Sequence, residues 1–318
     1  MSPNPILVEV VRSGVVESVH RGAVLITGPD GTPLLSVGDV ATPVFARSSV
    51  KPLQAVAMLR SGLDAGAQEL ALASASHNGE LAHVARARAM LARADCDEGD
   101  LRCPASLPME ASSARAVLVA GGGPARITMN CSGKHAAMLL TCRTAGWPTE
   151  GYLDPAHPLQ QAVRAVVEEL CAEPVAAVGV DGCGAPLFAT SLTGLARAFS
   201  ALVTAPEGSG PRRVADAMRA HPFLVAGTGR EDTAMMQAVP GLLMKGGAEG
   251  VHAAALADGR SVTMKIDDGA ARARPPVLVG ALARLGVPVE SLAQWARSPL
   301  AGGDAVVGEV RLRAGALD

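Results

Sequence analysis

The chain has 318 residues, 49% of them apolar, and a formal net charge of −2. That length can bury one large core or two small ones, and the near-neutral balance excludes a nucleic-acid footprint and a polybasic membrane patch. Of the 28 basic residues only four are lysines, Lys51, Lys134, Lys245 and Lys265, leaving 24 arginines. Arginine serves as well as lysine on a surface but cannot be deprotonated in a protein, so the few lysines mark places needing a tunable amine or a compact charge. The opening MSPNPILVEVVRSG shows no charged leader and no apolar stretch of signal length, and no segment is long enough to span a bilayer. A cytoplasmic protein without membrane partners is expected. The cysteines, Cys96, Cys103, Cys131, Cys142, Cys171 and Cys183, form no CxxC pair and are expected as thiols.

In chain order, ILVEVVRSG, GAVLITG and PLLSVGD alternate like strands, with PDG as the turn before the third. After Ser48 the period becomes helical: Val50, Leu53, Val56 and Ala57 share a face, Gly62 closes the helix, and Pro52 lies in its first turn. Helical patterns continue through AHVARARAMLARA, HAAMLLTCRTAG, PLQQAVRAVVEELC and PRRVADAMRAHPFLVAG, while TAPEGSGP reads as a solvated loop. Strand character returns in GLLMKGG, HAAALADG, SVTMKIDDG and DAVVGEVRLR. The expected fold is α/β (α+β), with an antiparallel sheet formed from both chain ends and a helical middle lobe. Its boundaries are about 1–47 and 238–318 for the sheet lobe and 48–237 for the helical lobe, in one catalytic unit.

Several stretches could carry chemistry. Ser48 and Lys51 stand at i and i+3 where a helix begins, so a serine nucleophile with a lysine base is available. The same spacing also suits a capping serine beside a solvated lysine. Lys245, at the end of an apolar strand and followed by two glycines, forms the K-x-G that accompanies S-x-x-K in serine acyl-transfer folds. SASHNGE supplies Ser76 and His77 in a polar loop. ITMNCSGKHAAML repeats the i, i+3 geometry with Cys131 and Lys134, and VDGCGAP adds Asp181 and Cys183 in a tight turn. Two thiols and an amine could make a metal corner, or both cysteines could be small buried hydrophobes. GTGREDTAMM offers an anion-binding turn with Arg230, or a glycine turn opening a helix, and Lys265 is expected in an ion pair with Asp267 or Asp268.

Taken together, ARSSVKPLQA, ASHNGE, MNCSGKHAAML, DGCGAP, HPFLVAGTGREDT, LMKGGAEG and KIDDG resemble, in order and spacing, the rhizobial-type L-asparaginases (asparaginase II family). The resemblance spans essentially the whole chain. It implies a serine β-lactamase/glutaminase-like fold, a homodimer, and hydrolysis of L-asparagine to L-aspartate and ammonia. It also implies catalytic pairs at Ser48 with Lys51 and Ser76 with Lys245, and zinc held by Cys131, Lys134 and Cys183. Substrate contacts are expected from Arg47, His77, Asp181 and Lys134. Ser49, beside Ser48, offers a second hydroxyl. A glutaminase, a β-lactamase-like amidohydrolase and a non-catalytic amino-acid- or zinc-binding protein are the alternatives.

Overall fold

A computed structural model describes residues 3–318. The chain opens with β1 (Ile6–Arg12), β2 (Val15–Thr27), β3 (Pro33–Val37) and the two-residue β4 (Val44–Phe45). Ser13 and Gly14, with φ of 49° and 82°, make the left-handed two-residue turn that suits the twist of a hairpin. β2 starts earlier than GAVLITG suggests. Its first residues, Val15–Val19, are exposed and bury neither face, so they carry no alternation to read.

The middle of the chain holds α1 (Lys51–Arg60), α2 (Ala67–Ala73), α3 (Leu81–Arg93), α4 (Ala111–Val119), α5 (Ser132–Ala145) and α6 (Pro158–Cys171). A hairpin follows, β5 (Ala177–Val180) and β6 (Pro186–Thr190), then α7 (Leu192–Thr204), α8 (Gly210–Ala220), α9 (Pro222–Val225) and α10 (Glu231–Ala238). Local chemistry sets these ends. His157 caps α6 by accepting from Leu159 N–H, with Pro158 in the first turn, and Gly146 ends α5 in the left-handed region at φ 70°. α1 is more than amphipathic: Lys51 to Met58 are all buried, and the helix packs against α5, α6 and α8. A helix buried all round is a central one, and Lys51 is carried into the core with it.

The C-terminal part supplies β7 (Leu243–Gly246), β8 (Val251–Ala255), β9 (Ser261–Ile266), α11 (Arg274–Arg284), β10 (Arg297–Gly302) and β11 (Ala305–Leu312). Strands from the two chain ends make one antiparallel sheet in the order β10-β11-β1-β2-β9-β8-β7, with β3 paired to β2. α7 packs on one face, where Thr263 Oγ1 donates to Leu192 O at 2.9 Å, and α11 packs against β9, β1 and β11.

The middle lobe is mostly helical, as the sequence pattern suggests, but it also holds strands. β4, β6 and β5 form a separate antiparallel sheet. β6 is buried at every residue, so PLFAT has no period to distinguish it from a helix segment. TAPEGSGP likewise is only partly loop, because Gly210 and Pro211 open α8. Among the described residues no helix is long and apolar enough to cross a membrane.

Candidate active site

Beyond β4 the chain makes one 3-10 turn, Arg47–Val50, that runs straight into α1. Arg47 is left-handed, φ 51°, a conformation that costs a non-glycine residue about 1–2 kcal/mol. The turn sets Ser48, half-buried, on the wall of a cleft of about 210 Å3. Ser49 points into the core instead and donates to Lys245 O at 2.9 Å. Gly247 lets β7 approach this turn, since a Cβ there would stand 2.9 Å from Ala46 O.

Ser76 follows α2 in an extended segment, fixed by Ser76 N–H to Val225 O, His77 N–H to Asn130 O and Asn78 N–H to Ala226 O. Its hydroxyl accepts from Lys51 Nζ and from Lys245 Nζ, each at 3.0 Å. Lys51 Nζ also reaches Ala75 O at 2.5 Å and Cys131 Sγ at 3.0 Å, and Lys245 Nζ reaches Gly246 O at 2.7 Å. The lysines of the two expected pairs thus meet on one oxygen, that of Ser76. Lys51 bonds Ser76 rather than Ser48, because α1 aims its side chain inward while the preceding turn aims Ser48 at the cleft. Among the described residues Ser48 Oγ has no hydrogen-bond partner.

Burial pushes the Lys245 amine down to about 7, against the pull of the Asp232 carboxylate and with help from Lys51 and Arg230. Asp232 is itself 1% exposed and accepts from Gly246 N–H at 3.2 Å, with His252 Nε2 at 2.8 Å but out of line for a hydrogen bond. Burial would raise this carboxyl, yet His252, Lys245 and Arg230 hold it far below the usual range.

The second lysine corner lies at the start of α5. Lys134 Nζ donates to Cys183 Sγ at 3.0 Å in the β5–β6 turn, while Cys131, the residue before α5, donates its thiol to Asn130 Oδ1 at 3.0 Å and accepts from Lys51 Nζ. Interaction with the nearby Cys183, then burial, pushes the Cys131 thiol well above its ordinary value, and the same interaction holds Cys183 well below, with Lys134 assisting against burial. Burial would lower the Lys134 amine, but the sulfurs of Cys183 and Cys131 outweigh it and raise it. Among the described residues no three His, Cys, Asp or Glu side chains form a metal-holding group, so a corner here needs Lys134 as a ligand. Two buried sulfurs, one of them bonded by the Lys134 amine, suit a thiophilic divalent ion, provided the amine and the Cys131 thiol lose their protons to it.

The expected substrate contacts fare differently. His77 is fully buried: its Nδ1 accepts from Gly79 N–H and its Nε2 meets Ser132 Oγ at 3.1 Å, so it braces the wall behind Ser76. Burial, with the charges of His83 and Lys51, lowers its pKa well below the ordinary value. Lys134 is also buried, 1% exposed. Arg47 and Asp181 are tied to each other at 2.9 Å. None of the four lines the cleft, whose walls are Ser48, Ser76, Asn130, Arg230, Glu249 and Arg274 with neighbouring glycines. A larger groove of about 620 Å3 lies beside β4–β6 and takes in Arg47 and Glu249, but neither Ser48 nor Ser76 lines it. Lys265 has no carboxylate partner among the described residues; it bonds Ile266 O, while Asp268 pairs with His20 and Asp267 accepts from Asn4. GTGRED was the signal that could have placed Arg230 in the cleft; nothing in sequence spacing announces Arg274.

No curated protein matches the chain. A solved structure described as a β-lactamase from Mycobacterium bovis is similar at a TM-score of 0.44 and 17% identity, over 83% of this chain and 94% of that one. The model of the L-asparaginase II family matches residues 8–312, which take in both serines, the three buried lysines and both turns of the cysteine corner. The chain belongs to the L-asparaginase II family.

Proposed function

We propose that this amidohydrolase of the asparaginase family cleaves the side-chain amide of L-asparagine, giving L-aspartate and ammonia, with Ser48 as nucleophile. The observation that carries the reading is the Ser76 oxygen held 3.0 Å from two buried lysine amines beside an unpartnered Ser48. A hydroxyl has one proton and two lone pairs. With both pairs of Ser76 accepting from amines, its proton is free to point into the cleft and its oxygen is poorly placed to attack. Ser48 has its lone pairs free. The small volume supports a small substrate, being below the roughly 300–1,000 Å3 usual for drug-sized ligands.

In the proposed sequence Ser48 Oγ bonds to the amide carbon and its proton passes to Lys51 Nζ. The C–N bond then breaks as the nitrogen takes the Ser76 proton and leaves as ammonia, and Lys51 returns its proton to Ser76. Water attacks the resulting ester and frees Ser48. The N–H groups of Ser48 and Ala248 donate to no backbone carbonyl among the described residues and flank the same cleft, which supports an oxyanion hole there. Lys245 holds Ser76 in line throughout. Cys131, Lys134 and Cys183 would hold a zinc-like ion, which when bound would supply fixed positive charge for orienting the substrate. The exposed edge of β5, with Val180 78% exposed, supports a homodimer, which light scattering would read.

The test is a coupled ammonia assay on metal-analysed protein with L-asparagine, L-glutamine and a β-lactam. Turnover of L-asparagine well above the other two supports the reading. Preference for glutamine moves the substrate by one methylene, and β-lactam turnover without ammonia release ends it.

A further inference from the structure

GTGRED has no part in acyl transfer from Ser48, yet the fold invests heavily in its position. Gly227 and Gly229, with φ of 118° and 72°, fold the turn. Glu80 accepts from Thr228 N–H and O–H, both at 2.8 Å, and Asn78 Nδ2 donates to Thr228 O at 2.9 Å. The clamp brings Arg230 to the cleft wall beside Ser76, with NH1 3.5 Å from Ser76 O.

Arg230 is held only loosely there. NH1 stands 3.3 Å from Asn78 Oδ1, Nε stands 3.9 Å from Glu231 Oε2, and NH2 donates to nothing among the described residues. Arg274, the other arginine on the wall, is committed: NH2 donates to Glu231 at 2.5 Å and NH1 to Gly247 O at 2.6 Å. Glu249, on the rim, is 65% exposed and lies 3.8 Å from Arg47. Among the described residues Arg230, 22% exposed, is thus the guanidinium on this wall whose NH2 is wholly unpartnered, whereas Arg274 leaves only its buried Nε without an acceptor. A planar fork of this kind takes a carboxylate through two parallel charge-assisted hydrogen bonds.

We propose that Arg230 receives the α-carboxylate of the amino-acid substrate and so confines the site to amides with a free carboxylate a few bonds from the reacting carbonyl. The proposal rests on the amidohydrolase reading of Ser48 and Ser76, and it makes Arg230 a specificity residue outside the proton path.

The experiment compares wild type, Arg230→Gln and Arg230→Lys on L-asparagine and on β-alaninamide, which is asparagine without its α-carboxylate. If β-alaninamide turns over too slowly, its inhibition constant against L-asparagine gives the same comparison. Arg230→Gln should lower kcat/KM for L-asparagine by about 10²-fold, mostly through KM, and change β-alaninamide less than about threefold. Arg230→Lys should recover part of the loss, since it keeps the charge without the fork. Equal losses on both amides would mean that Arg230 merely props the Asn78–Ser76 wall, and would overturn the assignment, as would an unchanged KM for L-asparagine. A wild-type protein inert toward L-asparagine would instead overturn the amidohydrolase reading, an outcome distinct from either.

Discussion

Ser48 and Ser76 line one cleft with the same functional group, yet the fold treats them in opposite ways. Ser48 is half-buried, follows a left-handed Arg47 and has no hydrogen-bond partner among the described residues. Ser76 is 7% exposed, sits in a segment pinned on both sides, and accepts from two amines. One hydroxyl has access to the cleft, and the other has two amine donors. Sequence spacing, which sets Lys51 three residues after Ser48, could not tell these roles apart.

The sharpest way to break the comparison is to remove each oxygen in turn. Ser48→Ala should cost about 10⁴-fold or more in kcat, since without the nucleophile only binding and the oxyanion donors are left. Ser76→Ala should cost less, about 10²–10³-fold, the usual worth of a proton relay. The β-methyl ester of L-aspartate should shrink the Ser76 deficit, because its leaving group needs less help from an acid than an amide nitrogen does. Steady-state rates on both substrates decide the matter. A larger loss from Ser76→Ala than from Ser48→Ala, on both, would exchange the two assignments.

Next in size is Lys51. If its amine carries a proton away from Ser48 and on to Ser76, Lys51→Arg must be about as damaging as Lys51→Met, each by about 10²–10⁴-fold. An active arginine variant would show that this position supplies charge alone. The structure adds a reason to expect poor tolerance: Lys51 is 1% exposed, and a wider guanidinium has no room beside Ala75 O and Cys131.

Much of this arrangement was legible beforehand, and for physical reasons. The lysines stood out because the chain otherwise uses arginine, and Lys51, Lys134 and Lys245 are the ones buried in the site. The sheet from both chain ends was readable in β1, β3, β8 and β9, whose strand patterns are strong. β6 was not, being buried on both faces, nor was β10, whose burial pattern leaves little apolar face to follow. α11 escaped because Pro275 and Pro276 look like a break, though they occupy its first turn, where missing N–H donors cost nothing. SASHNGE shows a polar loop but not that the His77 ring is buried and taken up by Gly79 and Ser132. Asp232 and His252 lie on separate elements and meet only through the fold.

A smaller effect is expected at the cysteine corner, which touches the serine site through the Lys51–Cys131 contact. Cys131→Ser and Cys183→Ser should each abolish stoichiometric transition metal in protein purified without chelators. KM for L-asparagine should then rise about tenfold while kcat changes less, if the ion orients substrate. Full metal content in both variants would remove these sulfurs from the site, and a collapse of kcat at constant KM would give them a part in the chemistry.

The smallest effect concerns the amine that holds Ser76 in line. In the folded chain burial brings Lys245 down to about 7, whereas in the unfolded chain it returns to the ordinary lysine value of about 10.5. Between those values the unfolded state binds the extra proton, so stability must rise with pH across that window. Below about 7 the amine is protonated in both states, and its burial then works against the fold. The same titration should reach activity: Lys245 donates to the Ser76 oxygen, so as it loses its proton kcat/KM should climb as pH rises through about 7. Urea midpoints at pH 7 and pH 9 for wild type and Lys245→Met separate this contribution from the rest, because only the wild type should gain it. An identical gain in both would mean that Lys245 keeps its proton in the fold. The activity limb near pH 7 would then have to come from another group.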